Sequence, residues 1–218
     1  MILKCAHCNL QVCASGEADA DYPDFCPMPT AADVLAETRR VYDDDDVTRA
    51  VAAEAARVEA AGYCRETRVE EIMSFARRLG ASHLGVAFCI GLRREAAVTQ
   101  RIFEGHGFRV SSVCCKVGGV PKEEVGLRDD EKIRPGQFEA LCNPVAQARL
   151  LAAAGTELNV AVGLCVGHDS LFFRHSTAPV TVLIAKDRVT GHNPAAALYT
   201  SGSYYKRLLK GPDGKSKE

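Results

Sequence analysis

The sequence predicts an α/β protein: a mostly parallel sheet of about four strands flanked by helices, preceded by a Cys-rich N-terminal metal-binding segment. Three observations lead there. Apolar runs such as "HLGVAFCIG" (83–91) and "LNVAVGLCVG" (158–167) lack polar alternation, as strands buried on both faces do. Helical stretches closed by glycine alternate with those runs. Cys5, Cys8, Cys13 and Cys26 crowd residues 1–28, a span too short to bury a core without a staple.

In chain order, residues 30–41 read as a helix with Thr30 at its N-cap, and "TRAVAAEAARVEAAG" (48–62) as an Ala-rich helix ending on Gly62. Between them Asp43 to Asp46 look like an acidic helix start favoured by the macrodipole. A third helix spans 68–80. Strand 83–91 leads into the helix "LRREAAVTQRIFEGHG", and "FRVSSVCCKVGG" (108–119) is the next strand. Residues 118–141 form an irregular connection of a length that is often functional. Helix "NPVAQARLLAAAG", strand 158–167, a short helix at "HDSLFFRHS" capped by Asp169 or Ser170, and strand "APVTVLIAKD" complete the pattern. A turn is expected at "HNP", a small helix near "GSYYKRLL" and a disordered tail. The implied organisation is a knuckle at 1–28, a helical segment at 29–80, an α/β domain at 81–210 and a tail at 211–218.

Composition narrows the function. With 218 residues and a net charge of -1, the chain shows no basic stripe interleaved with aromatics, so nucleic acid is not an expected partner. No apolar run approaches the roughly 20 residues of a spanning helix, and "MILKC" lacks a signal-peptide core. A cytoplasmic, soluble protein is expected. In that reducing setting, ten cysteines point to metal ligation, redox chemistry or burial rather than disulfides.

Two groups of thiols carry the chemistry. Cys5-x2-Cys8-x4-Cys13-x12-Cys26 has the knuckle spacing that lets sulfurs converge on one metal; four thiolates suit zinc or a 4Fe–4S cluster equally. The second group lies at strand ends. Aligning Cys89 with Cys165 also aligns Val86 with Val162 and Gly91 with Gly167, an echo of two strand–Cys-x-Gly–helix units. Ligands of open parallel sheets collect beyond the carboxyl ends of strands. Cys89, Cys114 or Cys115, Cys142 and Cys165 are all expected there. Carrying the strand alternation through "VSSVCC" puts Val113 and Cys115 on one face and Cys114 on the other, which favours Cys115. His168, opening a helix three residues after Cys165, is the candidate acid or base, and Cys165 the candidate reactive thiol.

The stretches "KCAHCNLQVC", "LGVAFCIGLRREA", "VCCKVGG", "CNP" and "NVAVGLCVGHDSLF", in this order, resemble the family catalogued as domain of unknown function 1847. Its members are described as uncharacterised metal-binding proteins, mostly of anaerobic prokaryotes. The resemblance implies metal binding through Cys5, Cys8, Cys13 and Cys26 and through Cys89, Cys115, Cys142 and Cys165; Cys64 belongs to neither motif. The combined expectation is an iron–sulfur redox or sulfur-handling enzyme, with an electron-transfer protein or a small molecule as partner. The alternative is a non-catalytic zinc carrier, sensor or scaffold.

Overall fold

A computed structural model describes residues 2–16 and 21–212. The chain divides into two compact units, Met1–Ala61 and Gly62–Glu218. Within the described part of the first lie two short helices, α1 (Val12–Ser15) and α2 (Pro27–Thr30), and a longer one, α3 (Ala32–Asp44). Helix α4 (Asp46–Gly62) runs to the boundary. Thr30 does not cap α3. Pro27, preset for a first helical turn, starts α2 instead, and the Thr30 hydroxyl donates back to the Cys26 carbonyl at 2.7 Å. The four aspartates divide their work: Asp43 and Asp44 end α3, while Asp45 Oδ1 accepts from the amides of Val47 (2.9 Å) and Thr48 (3.2 Å) at the start of α4.

The second unit begins with α5 (Arg68–Arg78). Its N-terminus is fixed by Glu70, whose Oε2 accepts from the Thr67 amide at 2.7 Å and hydroxyl at 2.6 Å. The sheet follows as β1 (His83–Phe88), α6 (Arg93–Gly105), β2 (Arg109–Cys114), α7 (Pro144–Ala153), β3 (Leu158–Val162), α8 (His168–His175) and β4 (Val180–Ile184). All pairings are parallel, in the order β2-β1-β3-β4. Side chains on the β1 face of Leu84 and Val86 pack with Ile72, Met73 and Ala76 of α5 and Leu92, Ala96 and Phe103 of and before α6. The opposite face, with Ala87 and Ala161, packs on Ala148 and Leu151 of α7 and Phe172 of α8. Burial on both faces is why β1 and β3 read as unbroken apolar runs.

Two strands fall short of their sequence expectation for the same reason. β1 stops at Phe88 and β3 at Val162, because the chain then turns toward the next helix. Cys89 sits one residue past its strand, its amide donating to the Val162 carbonyl at 3.1 Å. Cys165 stands three residues past β3, with Gly163 at φ +62° making the turn. The two Cys-x-Gly units are therefore not level: Cys165 projects two residues farther beyond the sheet. The expected side-chain cap at α8 is replaced by Gly167 at φ +82°; the Asp169 carboxylate accepts instead from the Ser170 amide. After β4 the sequence "PAAALY" forms a short helix, α9 (Ala195–Tyr199), that the turn reading of "HNP" did not anticipate, and residues 206–209 add a 3-10 turn. Most of the expected tail, 213–218, lies outside the described residues.

The connection 116–141 is ordered by charge rather than by secondary structure. Lys132, buried at the centre, reaches Glu123 at 2.7 Å, Asp129 at 2.6 Å and the Gln137 carbonyl at 2.6 Å. Lys122 and Glu139 pair at 2.5 Å beside the antiparallel bridge Pro121–Ala140. These bonds hold Glu123 and Asp129 below, and Lys132 above, their ordinary pKa ranges. The sign follows. The carboxylates' contribution is present above about pH 4.5 and fades as pH falls through their lowered values; the lysine's is present below about pH 10 and fades as pH rises through its raised value. Lys132→Met is therefore expected to speed tryptic cutting after Lys122 and Arg128 by roughly tenfold at pH 7. Equal cutting rates at pH 7 would show that the clamp does not hold the loop.

Candidate metal centre

The strand order places β1 and β3 side by side with crossovers leaving in opposite directions. The crevice beyond their carboxyl ends is where such a sheet binds ligands. Cys89 and Cys165 leave these two strands at that edge. The third contribution comes from the end of β2 and the fourth from the return of the long connection. There the Cys115 amide donates to the Phe88 carbonyl at 2.8 Å and the Asn143 amide to the Cys115 carbonyl at 2.7 Å. Two backbone bonds thus stitch Cys115 between Cys89 and Cys142.

The side chains follow. The thiol of Cys115 lies within hydrogen-bonding reach of both Cys89 and Cys142, so three sulfurs form a chain with Cys115 in the middle. The Ile90 amide also donates to the Cys115 sulfur at 3.3 Å. Each outer sulfur has a cation: Lys186 Nζ lies 3.2 Å from Cys89 and Lys116 Nζ 3.3 Å from Cys142. Cys165 packs against the same buried cluster and carries its own cation, Arg188 Nη2 at 3.2 Å. The same guanidinium feels the charge of Cys89 and Cys142, which puts all four thiols around one edge.

These contacts sort the protons. Cys115 donates to Cys89 and pulls that thiol down to about 4, helped by the Gly91 amide and the Lys186 ammonium, against the opposing cost of burial. Cys142 falls to about 5, first through Cys115 and then through Lys116. Cys115, hydrogen-bonded to both and buried, is pushed far upward and keeps its proton. The contacts thus favour the thiolate at the two outer positions and the thiol at the middle one.

The expected alternation did not bring Cys115 there. β2 ends at Cys114, and Val113 packs on the α7–α8 face, while both Cys114 and Cys115 lie with the α5–α6 cluster. A turn, with the Val117 amide donating to Cys114 at 3.1 Å, swings Cys115 toward Cys89. His168 heads α8, and its Nδ1 is enclosed with no hydrogen-bond partner among the described residues. It is close enough to act electrostatically on Cys142, and its backbone amide donates to the Cys165 carbonyl at 2.9 Å. In the first unit, Cys5 opens a turn with the Cys8 amide on its carbonyl at 3.0 Å, Cys13 lies in α1 and Cys26 precedes α2. The described contacts do not gather these four around one point. Among the described residues, no group of three or more Cys, His, Asp or Glu stands in finished metal-holding geometry, the sheet-edge trio included. There the sulfurs bond one another instead of facing a common centre.

Sequence reasoning passed over Lys116, Lys186, Arg188 and Gln147. Gln147, fully buried, donates from Nε2 to the carbonyls of Phe88 (3.2 Å) and Val113 (2.7 Å) and so ties the ends of β1 and β2 under the thiols. The signal for the cations was available. Lys186 and Arg188 follow β4 by two and four residues, and anything just past a parallel strand's carboxyl end reaches the same crevice. Gly91 fits this account: a Cβ there would stand 3.0 Å from Lys186 Nζ, so glycine leaves room for the ammonium beside Cys89.

Fold and site together define a parallel α/β protein with a cation-ringed thiol crevice. Residues 26–183 match the family described as "Protein of unknown function (DUF1847)", and the chain belongs to that family. The match includes all four sheet-edge cysteines and begins at Cys26, so Cys5, Cys8 and Cys13 precede it. An uncharacterized protein of Methanocaldococcus jannaschii is 40% identical over 209 residues, covering 96% of this chain and all of that one. Among solved structures, Dph2 from Pyrococcus horikoshii with a 4Fe–4S cluster aligns with 66% of the chain at 18% identity and a TM-score of 0.35, a likeness too loose to carry an argument. This chain spans about a third of that structure, 33% of its length. No helix among the described residues is long and apolar enough to cross a membrane.

Proposed function

We propose that the protein binds a soft metal centre at the sheet's carboxyl edge through Cys89, Cys115 and Cys142, with Cys165 beside them, and that this centre is an iron–sulfur cluster used in redox or sulfur-handling chemistry. One observation carries the reading: thiols from three separate chain segments meet in a crevice, each outer one backed by a lysine. All-sulfur donors select thiophilic metals. The cations and the Ile90 amide offset the negative charge that a thiolate-held cluster brings. Loading calls for rotation of side chains about χ1, since the backbone already brings the three positions together. Such a cluster supplies one-electron transfer when bound. Around it, Arg188 holds Cys165 as the nearby free thiol, and His168, with its enclosed and unpartnered Nδ1, is the candidate acid or base. The four-cysteine site of Cys5, Cys8, Cys13 and Cys26 rests on spacing alone.

The zinc alternative draws on a different feature of the same trio. Sulfurs in mutual hydrogen-bonding contact suit one tetrahedral ion with bonds of about 2.3 Å. Protein purified without oxygen separates the two: broad visible absorption with iron and sulfide for a cluster, a colourless protein with zinc otherwise. Absence of any metal in protein purified this way would sink the reading.

Proton release tests the ligand set itself. Three ordinary thiols would lose nearly three protons per Zn2+ at pH 7. Here the contacts hold Cys89 and Cys142 well below the ordinary thiol range and Cys115 above it, so Zn2+ added to metal-free protein should release clearly fewer than three, chiefly from Cys115. Lys186→Met with Lys116→Met should move the count upward. Calorimetry in buffers of different ionisation enthalpy reads it, and a count near three in the unaltered chain would refute the assignment.

A further inference from the structure

We propose that Cys115 and Cys142 form a reversible disulfide that closes the sheet-edge metal site when the cell meets peroxide. The inference rests on the reading of Cys89, Cys115 and Cys142 as the metal-binding trio. It stands on backbone placement and exposure. The Asn143 amide donates to the Cys115 carbonyl at 2.7 Å, so Cys115 and Cys142 occupy neighbouring positions of two hydrogen-bonded segments. Such neighbours fall within the Cα separations of roughly 4.4–6.8 Å that a disulfide spans. Their side chains already meet. Of the three sulfurs, Cys142 belongs to the only half-buried residue; Cys89 is 5% and Cys115 2% exposed. A small oxidant therefore reaches Cys142 first, and the shielded Cys115 is the neighbour that resolves it.

The chemistry balances with hydrogen peroxide as oxidant. The Cys142 sulfur attacks one peroxide oxygen, the O–O bond breaks, and Cys142 becomes a sulfenic acid with release of one water. The Cys115 sulfur then displaces the sulfenic oxygen, forming the S–S bond and a second water; the Cys115 thiol proton leaves in that water, and the hydroxide expelled from the peroxide in the first step takes its proton from solvent. Two thiols are oxidised by two electrons and one peroxide is reduced. A dithiol reductant reverses the bond by exchange. The long connection 116–141 closes on itself in the process, and its ion-pair clamp keeps both ends in place. With two of three sulfurs tied together, Cys89 is left as a single donor and the metal has no chelating set to return to.

The experiment uses the full chain, reduced and metal-free, with Zn2+ as the probe. Alkylation before and after Zn2+ addition footprints Cys89, Cys115 and Cys142; a parallel sample receives peroxide before Zn2+. Peptide mapping, with fragmentation to separate Cys114 from Cys115, locates any disulfide. Support requires that Zn2+ shield all three thiols in the reduced chain, that peroxide link Cys115 to Cys142, and that Zn2+ then no longer shield Cys89. A dithiol reductant should restore the shielding. Pairing of Cys115 with Cys89, or sulfinic acid at Cys142 without a disulfide, overturns the switch and leaves the metal reading standing. A Cys115–Cys142 disulfide in a chain whose thiols Zn2+ never shielded overturns the metal reading and the switch with it.

Discussion

Cys115→Ser is expected to empty the sheet-edge site of metal while the chain stays folded. Cys115 is the sulfur that contacts both of its neighbours, so its loss leaves Cys89 and Cys142 as two separated donors. Disturbing groups that merely support a ligand weakens metal binding by 10–100-fold; removing the central ligand should exceed about 100-fold. The structural cost is smaller. Cys115 is buried at 2% exposure, but serine is close in size and its hydroxyl can accept the Ile90 amide that now reaches sulfur at 3.3 Å. A penalty of about 1–2 kcal/mol lowers Tm by roughly 2–8 °C in a chain of this size. A second signature is electrostatic. Cys115 is the first cause of the lowered pKa of both Cys89 and Cys142, so both should titrate higher in the variant and react more slowly with a thiol reagent at pH 6. Cys64→Ser, at an exposed cysteine outside the crevice, should change neither property. Normal metal loading in Cys115→Ser would remove the residue from the site.

How much of this was legible in the sequence depends on the distance over which each feature is encoded. β1, β3 and the glycine-closed helices α5 and α6 are local: apolar runs and helical periodicity occupy consecutive residues, and tertiary packing reinforced them. Parallel pairing followed from the alternation of strands with helices. Strand ends were less legible, because whether Gly163 continues β3 or turns depends on Leu92, 71 positions earlier in the sequence, filling the space a Cβ would need. The approach of Cys115 to Cys89 is of the same kind. Alternation has no authority beyond Cys114, where β2 stops, and the turn that carries Cys115 inward is fixed by Phe88 and Asn143 from other segments. The cations Lys116, Lys186 and Arg188 carry no motif. Their signal is their place just past β2 and β4, and it becomes readable once the strand order puts the ends of β2, β1, β3 and β4 in one row. The N-terminal Cys5, Cys8, Cys13 and Cys26 show the converse: a strong spacing signal in a segment whose described elements are single turns, which carry no contact of their own between the thiols.

Gly163→Ala should be among the most destabilising single-methyl additions in the second unit, and it should reach the metal site through Leu92. Two costs combine. Gly163 has φ +62°, a conformation that costs an L-residue about 1–2 kcal/mol. A Cβ there would also stand 2.5 Å from Leu92 Cδ2 and 2.8 Å from Cδ1, and Leu92 is fully buried, so relief requires repacking at about 1–3 kcal/mol. Together these predict about 2–5 kcal/mol, or a fall in Tm of roughly 4–20 °C. Gly167→Ala supplies the control for strain alone: φ is +82° but a Cβ would meet nothing within 4 Å, so only the conformational cost of about 1–2 kcal/mol remains. Leu92→Ala isolates the clash. Alone it should cost about 2–5 kcal/mol for the lost packing. Combined with Gly163→Ala it should cost less than the sum, by about 1–2 kcal/mol, because the methyl enters the vacated space. The link to the site is the Leu92 amide, which donates to the Cys89 carbonyl at 2.8 Å, so displacing Leu92 moves the turn that carries Cys89 and Gly91. Gly163→Ala should therefore weaken Zn2+ binding more than Gly167→Ala at matched stability, and Leu92→Ala in the same chain should recover part of it. Strict additivity of the two substitutions in thermal unfolding would show that Gly163 is kept for its backbone angle alone and that Leu92 does not transmit to the crevice.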